Sequence, residues 1–221
     1  MLFQLTHIDP QTQIGIWQIE EPESQLHQLY RPNTDEQNEL QTFKNENRRK
    51  GYLAARLALK HCVGGDFVLK KQDFSKPYLA HRSDVEISLT HTKGFAAAII
   101  NANTQKVGID LEWVRPKIGD LKNKFLSQDE QLLLKKMLAN DNELYVLTQA
   151  WSAKEAVYKC YGQRQLDFKK NMQVVAFSNN SCTIYLNTVN LSKNIDICMQ
   201  NPVEGLVLVW CIEPKDPCFE T

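Results

Sequence analysis

Apolar side chains recur at helical spacing in three parts of the chain, which are residues 34 to 63, Leu121 to Asn140 and Leu144 to Tyr161. The first stretch opens with Thr34 and Gln37, a pair that resembles a capping box. Gly64 follows the last periodic residue, as expected at the end of a helix. Gly51 lies inside the stretch and favours a break into two shorter helices.

Short apolar or alternating runs predict strands in both halves of the chain. They are Ile14 to Ile19, Asp66 to Lys70, Val85 to Leu89, Phe95 to Ile100, Val107 to Trp113, Val174 to Phe177, Cys182 to Leu186, Ile195 to Met199 and Leu206 to Ile212. The segment Phe74 to Leu79 contains Lys76-Pro77, which favours an extended or turned backbone. The polar stretch Asn101 to Lys106 is the expected boundary between two domains, residues 1–104 and 105–221. Each half combines helix and sheet, which predicts an α+β fold, and no internal sequence repeat is evident.

Charge and composition narrow the class of protein. The 26 basic and 26 acidic residues give a formal net charge of zero, so the overall balance lacks the basic footprint of a nucleic-acid-binding protein. No apolar run approaches the ~20 residues that a membrane-spanning helix needs, and Met1 to Ile8 lack the pattern of a signal peptide. The six cysteines contain no CxxC pair, which removes the usual zinc and thioredoxin motifs. We therefore expect a cytoplasmic protein with free, mostly buried thiols.

Two carboxylates lie two residues apart in the predicted strand Val107 to Trp113. Side chains at this spacing point to the same face of a strand, so Asp110 and Glu112 are expected to lie together. Their mutual repulsion is readily offset by a hard divalent cation. Gly108 would let another chain or a phosphate approach the strand closely. The alternative interpretation is the solvent-facing side of an ordinary amphipathic strand.

A third carboxylate lies on the last predicted helix. Trp151, Glu155 and Lys159 share one face of that helix, since they are spaced four residues apart. An exposed Glu155–Lys159 ion pair would be the simplest interpretation. The tryptophan on the same face indicates partial burial, and a buried carboxylate is costly unless something binds it. A third metal ligand with a phosphate-binding or proton-accepting lysine would explain the arrangement.

Basic and hydroxyl side chains form two further clusters upstream. Ser88 to His91 follow a predicted strand, and His91 with Thr90 and Lys93 forms a candidate cradle for a phosphate. A histidine at a strand end is also a common structural hydrogen-bond partner. The first helical stretch carries a run of positive charge, which by itself is typical of a solvated helix face: Arg48, Arg49, Lys50 and Arg56.

The order of these clusters resembles that in the 4'-phosphopantetheinyl transferase superfamily, specifically its long, monomeric Sfp-type group. The signature of that family is a (V/I)G(V/I)D-x-E strand followed by W-x-x-K-E-x-x-x-K on a helix. Val107 to Glu112 and Trp151 to Lys159 match both parts. Four other family features are also matched. Lys76-Pro77 matches a Lys-Pro segment, and the stretch Arg48 to Arg56 matches an arginine-rich helix. Ser88 to His91 match S-x-S-H with threonine for the second serine, and Phe125 to Glu130 match F-S-x-x-E with one residue inserted. The resemblance covers roughly residues 34 to 162.

The resemblance implies a pseudo-twofold arrangement of two similar halves, each a helix on an antiparallel sheet, with coenzyme A (CoA) bound in the cleft between them. It implies a magnesium ion held against the CoA pyrophosphate by Asp110, Glu112 and Glu155. It implies CoA contacts for five residues: Arg49, Lys76, Thr90, His91 and Lys154. The arginine is left open, because a neighbour of Arg49 on the first helix could take its place. Glu155 and Lys159 are the implied catalytic residues.

The implied reaction moves the 4'-phosphopantetheine group of CoA onto a serine of an apo carrier protein and releases 3',5'-ADP. The serine proton would pass to Glu155 or to a metal-bound water, and Lys159 would act mainly on phosphate. A carrier with an acidic surface would dock near Lys117, Lys122 and Lys124, although a solvated basic face explains these lysines equally well. Two alternatives remain: a non-catalytic module that binds CoA or a carrier protein, and a metal-dependent phosphohydrolase. The family resemblance also implies a monomer.

Overall fold

The computed structural model describes residues 1–71, 76–136, 142–163 and 166–213. The chain divides into two compact units. Unit 1 comprises Met1–Lys70 and Pro77–Thr104, and unit 2 comprises Lys71–Lys76 and Gln105–Thr221. No described helix combines the length and apolar character that a membrane crossing requires.

Unit 1 is built from a four-stranded antiparallel sheet and three helices. Its elements are β1 (Leu2–Asp9), β2 (Thr12–Gln18), α1 (Glu23–Tyr30), α2 (Thr34–Thr42), α3 (Glu46–Val63), β3 (Leu69–Lys71, which extends one residue into unit 2), β4 (Pro77–Leu79), β5 (Glu86–Thr92) and β6 (Phe95–Asn101). The sheet order is β1-β2-β6-β5, and β3 pairs separately with β4. The apolar face of α3 packs on β2 and β6 around fully buried Leu53 and Leu59. The pattern of apolar and polar positions did not predict β1 or α1.

The first helical stretch breaks at a different place from the predicted one. Its capping box is formed by Asn33 and Glu36, so the predicted Thr34–Gln37 box is wrong by one residue. The chain then leaves the helix at Phe43, and the side chain of Asn45 caps a new helix, α3. Gly51 lies inside α3 and breaks nothing. Two asparagine caps decide the boundaries here, because their side chains accept from first-turn amide groups that the start of a helix leaves without intrahelical partners.

In its described residues, unit 2 contains a five-stranded antiparallel sheet and three helices. Its elements are β7 (Val107–Trp113), α4 (Lys117–Phe125), α5 (Gln128–Lys135), α6 (Glu143–Tyr161), β8 (Met172–Phe177), β9 (Ser181–Asn187), β10 (Ser192–Gln200) and β11 (Leu206–Ile212). The sheet order is β7-β11-β10-β9-β8. The long helix α6 packs on β7 and β11, and its buried residues belong to a core that is separate from that of unit 1.

The five strands of unit 2 confirm the predictions made for this half from apolar alternation. The helical stretch predicted from Leu121 to Asn140 is instead two helices, because Ser127 and Glu130 form a capping box that starts α5. The end of the predicted stretch, residues 137–140, lies outside the described residues, as do Cys218 and the first two residues of the predicted extended segment, Phe74 and Ser75.

Both units repeat one order of elements. Unit 1 contains β2-α1-α2-α3-β5-β6, with β1 added before β2 and with β3 and β4 added before β5. Unit 2 contains β7-α4-α5-α6-β10-β11, with β8 and β9 added before β10. In each unit the strand that precedes the helices pairs with the last strand, and the last strand pairs with the one before it. The two long helices also end alike, at Gly64 and Gly162 in the left-handed conformation. The repeat therefore lies in the order and pairing of the elements, and it is not evident as a repeat of the amino-acid sequence.

Candidate active site

The site of unit 2 depends on a close approach of α6 to β7. A Cβ built on Gly108 would overlap the carbonyl oxygen of Ala156 and lie 2.9 Å from the Cβ of Cys160. Only glycine therefore permits the helix backbone to rest against the strand at this point. The close approach that the sequence predicted at Gly108 is made by α6 itself. It brings the α6 face that carries Glu155 and Lys159 alongside the carboxylates of β7.

Lys159 reaches across from α6 to β7. Its Nζ donates to Asp110 Oδ1 at 2.8 Å and to the carbonyl oxygen of Ile109 at 3.0 Å. The side chain of Lys159 is 27% exposed and that of Asp110 is 11% exposed. The pair is therefore shielded yet still open to a ligand. The two main parts of the sequence signature, which lie 49 residues apart at this pair, meet in one contact.

Glu155 lies one helical turn before Lys159 and is partly buried. Burial, then the charge of Asp110 and the weaker influence of Glu112, raise the pKa of the Glu155 carboxyl to about 7, and Lys159 opposes the rise. Glu112 extends from the same strand as Asp110 and accepts a hydrogen bond from the backbone amide of Trp113 at 3.0 Å. The charges of two other carboxylates thus act on Glu155 at one place on unit 2.

The arrangement of these carboxylates can be tested against a metal ion. Within the described ranges of the chain, no three histidine, cysteine or acidic side chains converge closely enough to hold an ion as they stand. Asp110, one of the three candidate ligands, is paired with Lys159 in this arrangement. The donor chemistry nevertheless fits a hard divalent cation, because Asp110, Glu112 and Glu155 supply only carboxylate oxygens. Burial contributes most to the raised pKa of Glu155, and the charges of Asp110 and Glu112 add to it, so a cation at this place would stabilise the ionised carboxylate.

Lys154 does not fit its predicted contact with CoA. Its side chain is 0% exposed, and its Nζ lies 2.6 Å from Glu130 Oε1. The same ammonium donates to the carbonyl oxygens of Phe125 at 2.7 Å and Phe168 at 2.9 Å. All three ammonium protons are therefore used inside unit 2. On a helix, adjacent residues point about 100° apart, so Lys154 faces the core while Glu155 faces the site.

Lys76 lies at the carboxyl end of α6. A Cβ built on Gly162 would come within 2.8 Å of Lys76 Cδ, so the lysine stem rests on the glycine that caps the helix. Lys159 precedes that cap by three residues on the same helix. The structure therefore brings Lys76 to the helix end that carries Lys159.

Thr90 and His91 lie on β5 in unit 1. Thr90 is 6% exposed, whereas His91 is exposed. The imidazole of His91 lies over Gly51 of α3, where an added Cβ would come within 2.6 Å of Nδ1. Gly51 thus serves to seat the histidine on the helix. The ring is held against α3 one turn beyond Arg48.

The arginines of α3 differ in how far they are already engaged. Arg49 forms a two-bonded ion pair with Glu23, with nitrogen–oxygen distances of 2.8 and 2.9 Å, and donates to the carbonyl oxygen of Phe43. Arg56 is buried against Glu36. Arg48 stacks its guanidinium over the ring of Phe43 at 4.2 Å. Arg48 therefore retains the most freedom to meet an anion, and sequence reasoning had no means of separating the three.

Residues 106–211 match the protein family described as ACPS, the 4'-phosphopantetheinyl transferase superfamily. The chain is 30% identical over 167 residues to the 4'-phosphopantetheinyl transferase HetI of Nostoc sp. (strain PCC 7120), and the alignment covers 68% of this chain and 69% of HetI. This chain belongs to the 4'-phosphopantetheinyl transferase superfamily.

Among solved structures, this phosphopantetheinyl transferase family member aligns with the holo-[acyl-carrier-protein] synthase of Thermotoga maritima at 16% identity and a TM-score of 0.39. That alignment covers 50% of this chain and 64% of the Thermotoga chain, so it spans less than two thirds of that neighbour. The family match at residues 106–211 contains the three carboxylates, Lys154 and Lys159.

One residue of this family member that pairs with the second motif was not predicted from the sequence. Glu130 was seen only as part of the F-S-x-x-E resemblance, yet its carboxylate meets Lys154 of the second motif. The sequence signal that could have revealed it is a lysine on the buried face of a helix, Lys154, together with an acidic residue in a capping box, Glu130. Such a pairing is visible only once the rotation of α6 is known.

Proposed function

We propose that this chain transfers the 4'-phosphopantetheine group of CoA to a serine hydroxyl of an apo carrier protein. The observation that carries the proposal is the juxtaposition of Asp110, Glu112 and Glu155 with Lys159 on β7 and α6. Membership of the transferase superfamily supports it, as does the similarity to the 4'-phosphopantetheinyl transferase HetI. The alternative of a non-catalytic binding module has no observation in its favour, because the carboxylates and Lys159 are all present.

The three carboxylates are the residues that would hold Mg²⁺, which would neutralise the pyrophosphate of CoA during the reaction. Lys159 is paired with Asp110, so we assign it to phosphate neutralisation rather than to proton abstraction. The serine oxygen bonds to the β-phosphorus of CoA, and the bond from that phosphorus to the bridging oxygen breaks. The electron pair leaves with 3',5'-ADP, and the serine proton passes to Glu155. Positioning and charge stabilisation supply most of the rate enhancement in such a transfer.

Lys76, Thr90 and His91 are proposed to contact the phosphates of CoA, as the family resemblance implies. His91 supports this role because it is exposed and seated on Gly51. We assign the helical arginine to Arg48 in place of Arg49, since Arg49 is paired with Glu23 and with a carbonyl oxygen. Lys154 is left out of the CoA contacts because of its complete burial.

The carrier protein is proposed to dock on α4. Lys117 and Lys124 are exposed there, whereas Lys122 forms an ion pair with Glu143 at 3.1 Å. A cavity of about 600 Å³ adjoins α4, and Leu132 on its wall is 62% exposed. An exposed apolar side chain beside lysines suits the acidic helices that carrier proteins present near their serine. We also propose that the protein acts as a monomer in the cytoplasm.

The test is mass spectrometry of an apo carrier protein incubated with this protein, CoA and Mg²⁺. We expect a gain of one phosphopantetheine group, lost with EDTA and with Asp110→Ala. No gain across fatty-acid, polyketide and peptide carriers, with CoA binding intact, would favour the binding module. Release of 3',5'-ADP without any carrier would instead favour a phosphohydrolase.

A further inference from the structure

Glu130 and Lys154 form the centre of a buried polar network in unit 2. Glu130 is 3% exposed and Lys154 is 0% exposed. One carboxylate oxygen of Glu130 accepts from the Ser127 amide at 2.7 Å, and the other accepts from the Val174 amide at 2.9 Å and from Lys154. With the two carbonyl oxygens that Lys154 also contacts, every charged atom of the pair has a partner.

The network joins α6 to four other parts of unit 2. Lys154 contacts the carboxyl end of α4 at Phe125 and the loop at Phe168, and Glu130 contacts the start of α5 and strand β8. Trp151, one turn earlier on α6, packs between Phe125 and Phe168 with ring distances of 5.2 and 5.3 Å. These contacts fix the rotation and height of α6 at the residue that immediately precedes Glu155.

Unit 1 contains the same network on its own long helix. Arg56 lies eight residues before the capping Gly64, as Lys154 lies eight before Gly162. Arg56 pairs with Glu36 at 2.9 Å, and Glu36 belongs to the capping box of α2 just as Glu130 belongs to that of α5. Both arginine and glutamate are 6% exposed. The equivalence extends the repeat of elements to a specific pair of side chains.

The two networks differ in what their helices carry. On α6 the residues one and five places after the buried cation are Glu155 and Lys159, which face Asp110. On α3 the same places hold Leu57 and His61, and His61 contacts Trp17 with a ring distance of 5.7 Å. Gly15 seats α3 on β2 as Gly108 seats α6 on β7, since a Cβ on Gly15 would lie 2.8 Å from the Ala58 carbonyl oxygen. The two units therefore share the buried ion pair and the glycine contact, whereas the site formed by the carboxylates and Lys159 lies in unit 2.

We propose that the Glu130–Lys154 pair is a positioning device, which sets the rotation of α6 so that Glu155 and Lys159 face the carboxylates of β7. The inference rests on the proposed transferase function of that site. It gives the F-S-x-x-E stretch and the buried lysine of W-x-x-K-E one joint role, in which neither touches CoA or metal. A displacement of about 1 Å at reacting groups can lower a rate by about 100-fold, so a small rotation of α6 is sufficient to be measured.

The experiment compares two double variants that remove the same kind of pair. Lys154→Met alone would leave the Glu130 carboxylate buried without its cation, which would destabilise the fold. Lys154→Met is therefore combined with Glu130→Gln. Glutamine has one acceptor oxygen, so at position 130 it keeps the capping-box hydrogen bond from Ser127 and gives up the one from Val174. Arg56→Met with Glu36→Gln is the matched control in unit 1. Circular dichroism and thermal unfolding first establish that each protein is folded at the assay temperature.

Three readouts then separate positioning from stability. We expect the unit 2 double variant to lose about 10- to 100-fold in kcat with a nearly unchanged KM for the carrier. We expect weaker Mn²⁺ binding in the presence of CoA, and faster amide exchange over Glu155 to Cys160. The unit 1 double variant is measured at saturating CoA, so that any shift of Arg48 alters only the KM for CoA. It should then keep kcat and Mn²⁺ affinity within about twofold, because Leu57 and His61 carry no reaction.

Wild-type kcat and Mn²⁺ affinity in the unit 2 variant would overturn the positioning role, as would equal losses in both double variants. If the wild-type protein neither transfers phosphopantetheine nor binds Mn²⁺, the proposed function fails. The amide exchange of residues 155–160 still decides the positioning role in that case. Unchanged exchange in the unit 2 variant refutes it, and faster exchange than in the unit 1 variant supports it.

Discussion

Lys154 and Lys159 lie on the same helix and belong to the same sequence motif, but their surroundings differ. Lys154 is enclosed with Glu130 and two carbonyl oxygens, and burial lowers its pKa while the ion pair opposes that change. Lys159 lies at the edge of the site and is 27% exposed. The sequence predicted a phosphate role for both. At the scale of single residues, burial decides which charge is available to a ligand.

Replacement of Lys159 tests its proposed role on phosphate. We expect Lys159→Met to lower kcat by about 100-fold or more while CoA still binds, since a group that stabilises charge in the transition state is lost. Single-turnover kinetics and calorimetric titration with CoA measure the two quantities. His61→Met, at the corresponding place on α3, is the matched control and should leave kcat unchanged. Normal turnover in Lys159→Met would contradict the assignment.

The raised pKa of Glu155 predicts a pH-dependent stability in the metal-free protein. Unfolded Glu155 releases its proton near pH 4.5, whereas the folded carboxyl retains it to about pH 7. The native state therefore binds more protons in this window, and its contribution to stability falls as pH rises. We expect Glu155→Gln to be more stable than wild type by about 1–2 kcal/mol near pH 8 and equal below pH 4.5. Urea unfolding in EDTA across this range measures the difference, and a constant offset would contradict the cause.

At the scale of elements, the site requires α6 to lie directly on β7. The alternation of Val107 to Trp113 was sufficient to predict the strand and the common face of Asp110 and Glu112. Apolar periodicity was sufficient to predict α6. Neither pattern identifies the partner that Gly108 accommodates, since glycine serves turns, bulges and close packing equally well. The contact between Gly108 and Ala156 belongs to the tertiary structure and cannot be predicted from either pattern.

Gly108→Ala tests the importance of this contact. Because the added methyl group overlaps the Ala156 carbonyl, α6 has to move away, and we expect a loss of about 1–3 kcal/mol in unfolding free energy together with reduced kcat. Thermal unfolding and carrier modification measure both effects. Gly119→Ala in α4 is the matched control, since its Cβ would lie at an ordinary 3.8 Å from Leu144 Cδ2. Equal behaviour of the two variants would contradict the argument.

At the scale of the whole molecule, a net charge of zero conceals a local excess of lysines around α4. If the carrier docks there, reversal of charge should slow association and leave CoA binding unaffected. We expect Lys117→Glu with Lys124→Glu to raise the carrier KM about tenfold at low salt and less at high salt, because screening weakens the attraction. Steady-state kinetics over a salt series measure the effect. An unchanged carrier KM would refute the docking face.

The sequence by itself determined most of the strands, the long helices and the pair of motifs that identifies the transferase superfamily. These features depend on local periodicity and on the identity of neighbouring residues, which the chain displays directly. Tertiary structure decided which lysine of the second motif is buried, which arginine is engaged, where α2 ends and why Gly51 and Gly108 are glycines. It also revealed that Arg56–Glu36 and Lys154–Glu130 are equivalent pairs. These outcomes depend on packing between elements far apart in the chain, since the rotation of a helix is fixed only by the surface against which it packs.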